Sequence, residues 1–278
     1  MQRMIDTHMD PLSIGILIVS GVLIGTISSM IGVGGGIMMV PLLSFFFVPE
    51  TQQAVGTSLA TVVVTGIVSS INYGRKKVID YKLAFMMMPT VIIGAVLGAW
   101  LTDFISSEGL ALAFGVLLMY PALMMVSGRE PKEVVNIFKK PSKAEEKPES
   151  QTQTYSPIKI IFIGTVAGIA SGFFGVGSGI LMVPAMAIFL NVDMLYAVAT
   201  SLFVMVPSAF VASFKHWESA NIIFQFMGLL ALGIVFGAQI GTRLAMKIPR
   251  KRLRQAFGMV LAFSGLNMIW KGISTLLL

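Results

Sequence analysis

The chain has 278 residues, of which 55% are hydrophobic and only 12% charged, and its mean hydropathy is +0.85. A water-soluble globular chain carries about 25% charged residues, so that class is excluded. With no cysteine, disulfides, thiolate metal sites and thiol catalysis are excluded too. The net charge of +7 does not call for nucleic acid, because basic residues gather in the cytoplasmic loops of membrane proteins.

Apolar runs at 13–31, 54–73, 83–101, 110–126, 158–174, 197–214, 226–244 and 256–270 are each long enough to approach or cross a ~30 Å hydrocarbon core at ~1.5 Å per residue. They predict an all-α, multi-pass protein of the plasma membrane whose partner is the lipid bilayer. The first run lacks a strongly basic start and a small-residue cleavage site, and is expected to be a retained helix.

Between the first two long runs lies a different kind of segment. Gly32, Gly34, Gly35 and Gly36 precede an apolar stretch of 11 residues, 37–47, which as a helix spans about half of the hydrocarbon core. One end must then sit near mid-membrane, where non-helical backbone survives only inside protein or beside water. Pro41 fits the first turn of a half-helix starting near Met38–Met39. Such a helix would aim its free N–H groups and positive dipole end at the glycines.

The whole arrangement recurs at an offset of 143. Gly32–Pro41 matches Gly175–Pro184 with eight of ten residues identical, bringing in Gly175, Gly177, Ser178, Gly179 and Pro184. Ala54-Val-Gly-Thr-Ser-Leu59 likewise matches Ala197-Val-Ala-Thr-Ser-Leu202. The domains are therefore a first repeat, 13–126, a polar linker, 127–157, and a second repeat, 158–273. The linker is too polar to bury a core, although 134–138 could form a short interfacial helix.

Charge sets the orientation. Arg75, Lys76, Lys77 and Lys82 follow the 54–73 run, whereas in the second copy the basic residues gather at 243–254. Placing 74–82, the linker and 245–254 in the cytoplasm, with the adjoining helix-end residues Lys159 and Arg243, leaves only Arg3, Lys215 and Lys271 outside. Each copy then crosses in the opposite sense, as inverted repeats do, and two half-helix N-termini facing across a pseudo-two-fold would form an anion site. Substitution of Gly35 by Ser178 predicts that position 35 tolerates a side chain, while the glycines kept in both copies carry the backbone constraint.

Other residues leave alternatives open. The hydroxyls of Thr57, Ser58, Thr200 and Ser201 either bond to backbone carbonyls or contact the ligand. Gly94, Gly98, Gly237 and Gly241, spaced by four, are expected to serve helix packing. Asn72, Lys215 and His216 lie at equivalent helix ends and are candidates for a gate or relay, or are plain interfacial residues. Asp80 and Asp103 are expected in solvated loops. No metal-ligand, cofactor, Walker or paired catalytic pattern is present, so no cofactor or metal is expected and the chain reads as a non-enzyme.

The doubled G-x-G-[GS]-G-x-x-x-V-P motif, each followed by A-V-x-T-S-L, resembles the sulfite exporter TauE/SafE family of membrane transporters. Asn72-Tyr-Gly-Arg75 and Lys215-His-Trp217 resemble that family's polar helix-end segment. The resemblance covers nearly the whole chain. It implies about eight membrane helices with inverted symmetry and transport of a small anion such as sulfite or a sulfonate. The resulting expectation is a secondary transporter working by alternating access; a carrier of another small anion, such as a carboxylate, or an anion channel are the alternatives.

Overall fold

The computed structural model describes residues 10–126, 156–245, 259, 262–263 and 265–274, and among these it contains helices and no strand. In chain order the helices are α1 (Pro11–Ile31), α2 (Gly36–Phe46), α3 (Thr51–Arg75), α4 (Tyr81–Thr102), α5 (Ser107–Val126), α6 (Pro157–Phe174), α7 (Gly179–Phe189), α8 (Met194–Glu218) and α9 (Phe224–Leu244). Residues 265–274 are also helical. The linker, with its expected interfacial helix at 134–138, lies outside the described residues.

Six of these helices, α1, α3, α4, α6, α8 and α9, are long and apolar enough to cross a membrane. The apolar windows of α3 and α8 are 61% and 56% buried, against 39% for α1 and α9 and 44% for α4 and α6. The two long inner helices therefore form the centre, and the others keep one side for lipid: Phe85, Phe162, Phe210 and Phe236 all point outward.

Glycine decides which outer helices pair. A Cβ on Gly21 would meet the Leu230 carbonyl and Gly233, and one on Gly25 would meet Ile234 and Ala238. The register advances in the same sense on α1 and α9, so these two run parallel with backbones in contact. The same holds for α4 and α6, where Gly94 faces Thr165 and Gly168 while Gly98 faces Ile169 and Phe173. A carbonyl that close leaves no room for any side chain, and close backbone approach is how helices gain packing energy where lipid replaces water.

The inner pair behaves differently. Thr200, near the start of α8, accepts a hydrogen bond from the Asp80 amide just beyond the end of α3 (3.0 Å). Thr57, near the start of α3, accepts one from the Ile223 amide just beyond the end of α8 (3.0 Å). Helices α3 and α8 thus run antiparallel, each beginning where the other finishes. Lys76 Nζ ties the end of α3 to the Thr242 carbonyl of α9 at 2.8 Å; burial, with the Arg243 cation second, lowers its pKa. Asp80, expected to be merely solvated, caps α4 by accepting from the Leu83 amide at 3.0 Å.

Candidate functional site

Each short helix follows a break built from glycine. Helix α1 ends on Gly32, whose φ of +86° lets its amide donate to the Ser28 carbonyl at 2.8 Å; α6 ends on Gly175 at φ +68° in the same way. A left-handed residue at this place is the usual helix stop and is cheap only for glycine. Gly34 and Gly177 then turn the chain at φ +82° and +77°, and α2 and α7 leave with 11 residues each.

The two breaks are pressed together. A Cβ on Gly36 would strike the Gly175 carbonyl and Val176, and one on Gly179 would strike the Gly32 carbonyl and Val33. Ser58 donates to the Gly175 carbonyl at 2.9 Å, and Ser201, its equivalent, donates to the Gly32 carbonyl at 3.0 Å. Both the glycine contacts and the serine bonds named here recur with the copies exchanged. Gly32, Gly34, Gly35, Gly36, Ser58, Gly175, Gly177, Ser178, Gly179 and Ser201 are all buried here; Thr57 and Thr200, also buried, face the chain just beyond the ends of α8 and α3 instead.

Two residues with no sequence signal close the centre. Val62 and Met205, equivalent positions of α3 and α8, are fully buried, and both would touch a Cβ on Gly34 or on Gly177. Apolar residues in an apolar helix carry no mark of function, so only the packing reveals them.

Several expectations change. Pro41 and Pro184 are not in the first turn, because α2 and α7 already begin at Gly36 and Gly179; each proline is the sixth helical residue. Both short helices therefore lose an interior hydrogen bond, which weakens them locally. Gly35 and Ser178 are also not interchangeable: Gly35 has φ +96° and Ser178 has φ −64°. A Cβ on Gly35 would lie 2.8 Å from Ile24 Cγ2. Position 35 is a backbone constraint in one copy only.

The hydroxyls of Thr57, Ser58, Thr200 and Ser201 are all used within the protein, tying one copy to the other. The helix-end residues divide. His216 is 1% exposed, with Nε2 3.2 Å from the Gly172 carbonyl, where the first copy has the Tyr73 hydroxyl donating to the Ser29 carbonyl at 2.8 Å. Lys215 pairs with the exposed Asp103 at 3.1 Å, and Asn72 is half-buried with its amide nitrogen unpartnered among the described residues. None of the three reaches the crossing through a hydrogen bond.

What can the crossing do chemically? The first bond of α2 comes from the Met38 amide to the Gly35 carbonyl (3.0 Å), and the first of α7 from the Met182 amide to the Ser178 carbonyl (3.0 Å). The amides ahead of these have no helical acceptor, and unsatisfied N–H groups at a helix start attract anions. A cavity of about 220 Å³ also opens between α1, α2 and Phe263, but its walls are almost wholly apolar and no glycine of the breaks lines it. It suits a lipid chain better than an anion. Among the described residues no group of acidic, histidine or cysteine side chains could hold a metal.

The family model described as sulfite exporter TauE/SafE matches residues 17–268. The "Probable membrane transporter protein YunE" of Bacillus subtilis (strain 168) is 32% identical over 276 residues, covering 94% of this chain and 99% of that protein. A "Probable membrane transporter protein" of Methanocaldococcus jannaschii is 27% identical over 270 residues, covering 91% and 94%. A third, YdhB of Bacillus subtilis, is 25% identical over 248 residues, covering 89% and 97%. No solved structure matches.

Proposed function

The chain belongs to the sulfite exporter TauE/SafE family of membrane transporters, and we propose that it carries a small sulfur-containing anion, sulfite or an organosulfonate, by alternating access. The observation that carries this reading is the crossing of the two glycine breaks, where two half-helix N-termini with unpaired amides meet inside the bundle. Broken helices that aim their N-termini at an anion are a recurring device of secondary transporters. The fixed dipoles there act without the cost of a buried charge.

In this reading the two copies are inverted relative to one another. Support comes from the antiparallel run of α3 and α8 and from the parallel pairs α1 with α9 and α4 with α6. A two-fold axis lying across α3 and α8 produces that pattern. The linker, 127–157, is then cytoplasmic, as its basic residues favour. Val62 and Met205 shut the centre, so substrate reaches it only when one copy rocks against the other. Ser58 and Ser201 act as positioning residues, holding the carbonyl edges of the two breaks in register, while Thr57 and Thr200 hold the chain just beyond the ends of α8 and α3.

The test is flux in proteoliposomes. Uptake of radiolabelled sulfite should saturate and should accelerate when unlabelled sulfite is trapped inside, because a carrier returns faster when loaded. Unitary currents in a planar bilayer would mean a channel instead. Exchange of acetate or succinate without sulfite or methanesulfonate would overturn the sulfur-anion assignment.

A further inference from the structure

The two breaks share a plan but not their chemistry, and the polar differences at the starts of α2 and α7 point the same way. Position 35 is glycine in the first copy; its equivalent is Ser178, which stands at the N-cap of α7 without a side-chain capping bond. Ser178 is fully buried, and its Oγ finds no partner among the described residues. Ser28 in the last turn of α1 turns its hydroxyl back on the Gly25 carbonyl, at 3.5 Å. Its equivalent Ser171 is fully buried with Oγ unpartnered.

Room and backbone follow suit. Ile24, whose side chain packs against Gly35, is replaced in the second copy by Ala167, also buried. Helix α2 begins bonding at Met38, two residues after its start, whereas α7 begins at Met182, leaving one more amide free. Two orphaned hydroxyls in a buried site are costly unless something outside the chain satisfies them. Hydroxyl and amide donors aimed together fit an acceptor-rich, negatively charged group.

We propose that the transported anion is seated on one copy only, at the N-terminus of α7, with the Ser171 and Ser178 hydroxyls and the free amides of Gly179, Ile180 and Leu181 as its donors. The break before α2, walled by Ile24 and Met39, is the opposing face rather than a second seat. The inference deepens the anion-carrier reading and rests on it. It fixes one anion per chain and explains why a nearly two-fold site binds an asymmetric event: the two copies rock around a ligand held by the second.

The experiment uses the purified full-length chain in detergent, with sulfite and methanesulfonate as probes, read by titration calorimetry and by the apo melting temperature. Ser171→Ala and Ser178→Ala should each weaken both probes about tenfold or more, as for a lost hydrogen bond to a charged group. Their apo melting temperature should equal or exceed the parent's, since an unpaired buried hydroxyl has gone. Ser28→Ala should leave affinity within about twofold. If an alanine variant fails to fold, Ser178→Gly, which copies the first repeat, takes its place with the same expected loss. Parent-like affinity in the serine variants, a larger loss in Ser28→Ala, or a stoichiometry of two would each overturn the single seat while leaving the anion carrier standing. If neither probe binds the parent, seat and sulfur-anion reading fall together.

Discussion

Gly35 and Gly36 are neighbours with different reasons for being glycine. At Gly36 the backbone is ordinary, but the place a Cβ would take is already held by the Gly175 carbonyl and Val176 of the other copy. At Gly35 the reason is mainly φ, +96°, which a side-chain-bearing residue adopts at a cost of about 1–3 kcal/mol. Both substitutions should therefore hurt, in distinguishable ways. Gly36→Val should force the two breaks apart and abolish binding of sulfite in calorimetry even in protein that elutes as a single species. Gly35→Ser should lower the melting temperature while leaving a weakened but measurable binding isotherm. A Gly35→Ser protein as stable as the parent would show that the left-handed turn is not required there.

At the scale of the elements, the long helices were legible in the sequence because lipid imposes a simple rule: about 20 apolar residues per crossing. Their ends were legible where glycine stops a helix, as at Gly32 and Gly175. The start of α2 was not, because three successive glycines carry no side chain to mark where helical dihedrals resume, and Pro41, which suits a first turn, lies a full turn further in. The two glycine motifs meet at one crossing, yet the partners of Thr57 and Ser58 lie more than 100 residues away, beyond any local pattern. Packing glycines, by contrast, keep their promise. Gly98 has the Ile169 carbonyl and the Phe173 amide nitrogen against it, whereas Gly15 and Gly228 have open space within 4 Å. Gly98→Val should then separate α4 from α6 and cost several kcal/mol or prevent folding. Gly15→Ala and Gly228→Ala should be neutral or stabilise by up to about 1 kcal/mol, through helix propensity alone. Melting of the three variants in detergent checks the order, and an unchanged Gly98→Val protein would refute the close pairing of α4 with α6.

For the molecule as a whole, the sense in which each copy crosses the membrane can be read from one matched pair of positions. Lys77 and Ala220 are equivalent under the repeat. Both are exposed, and both sit just beyond an inner helix with φ of +54° and +57°. Any local strain from a substitution is thus nearly the same at the two sites, and the chain has no cysteine of its own. If the copies are inverted, these twin loops face opposite sides of the membrane; if the copies run in the same sense, they share a side. The loop of Ala220 is joined to the end of α4 by Ser219, whose hydroxyl donates to Asp103 at 3.2 Å, so Ser106, exposed in the loop after Asp103, reports on the same face. Basic residues crowd the Lys77 side and the linker, so the proposed orientation puts those in the cytoplasm. An impermeant thiol reagent applied to intact cells should label Ala220→Cys and Ser106→Cys, and should reach Lys77→Cys and Ser142→Cys only after permeabilisation. Labelling of Lys77→Cys and Ala220→Cys from the same side would overturn the inversion. Labelling from opposite sides but in the reverse sense would keep the proposed inversion and overturn only the orientation, because the inversion is argued from how the helices pack and the choice of side from charge alone.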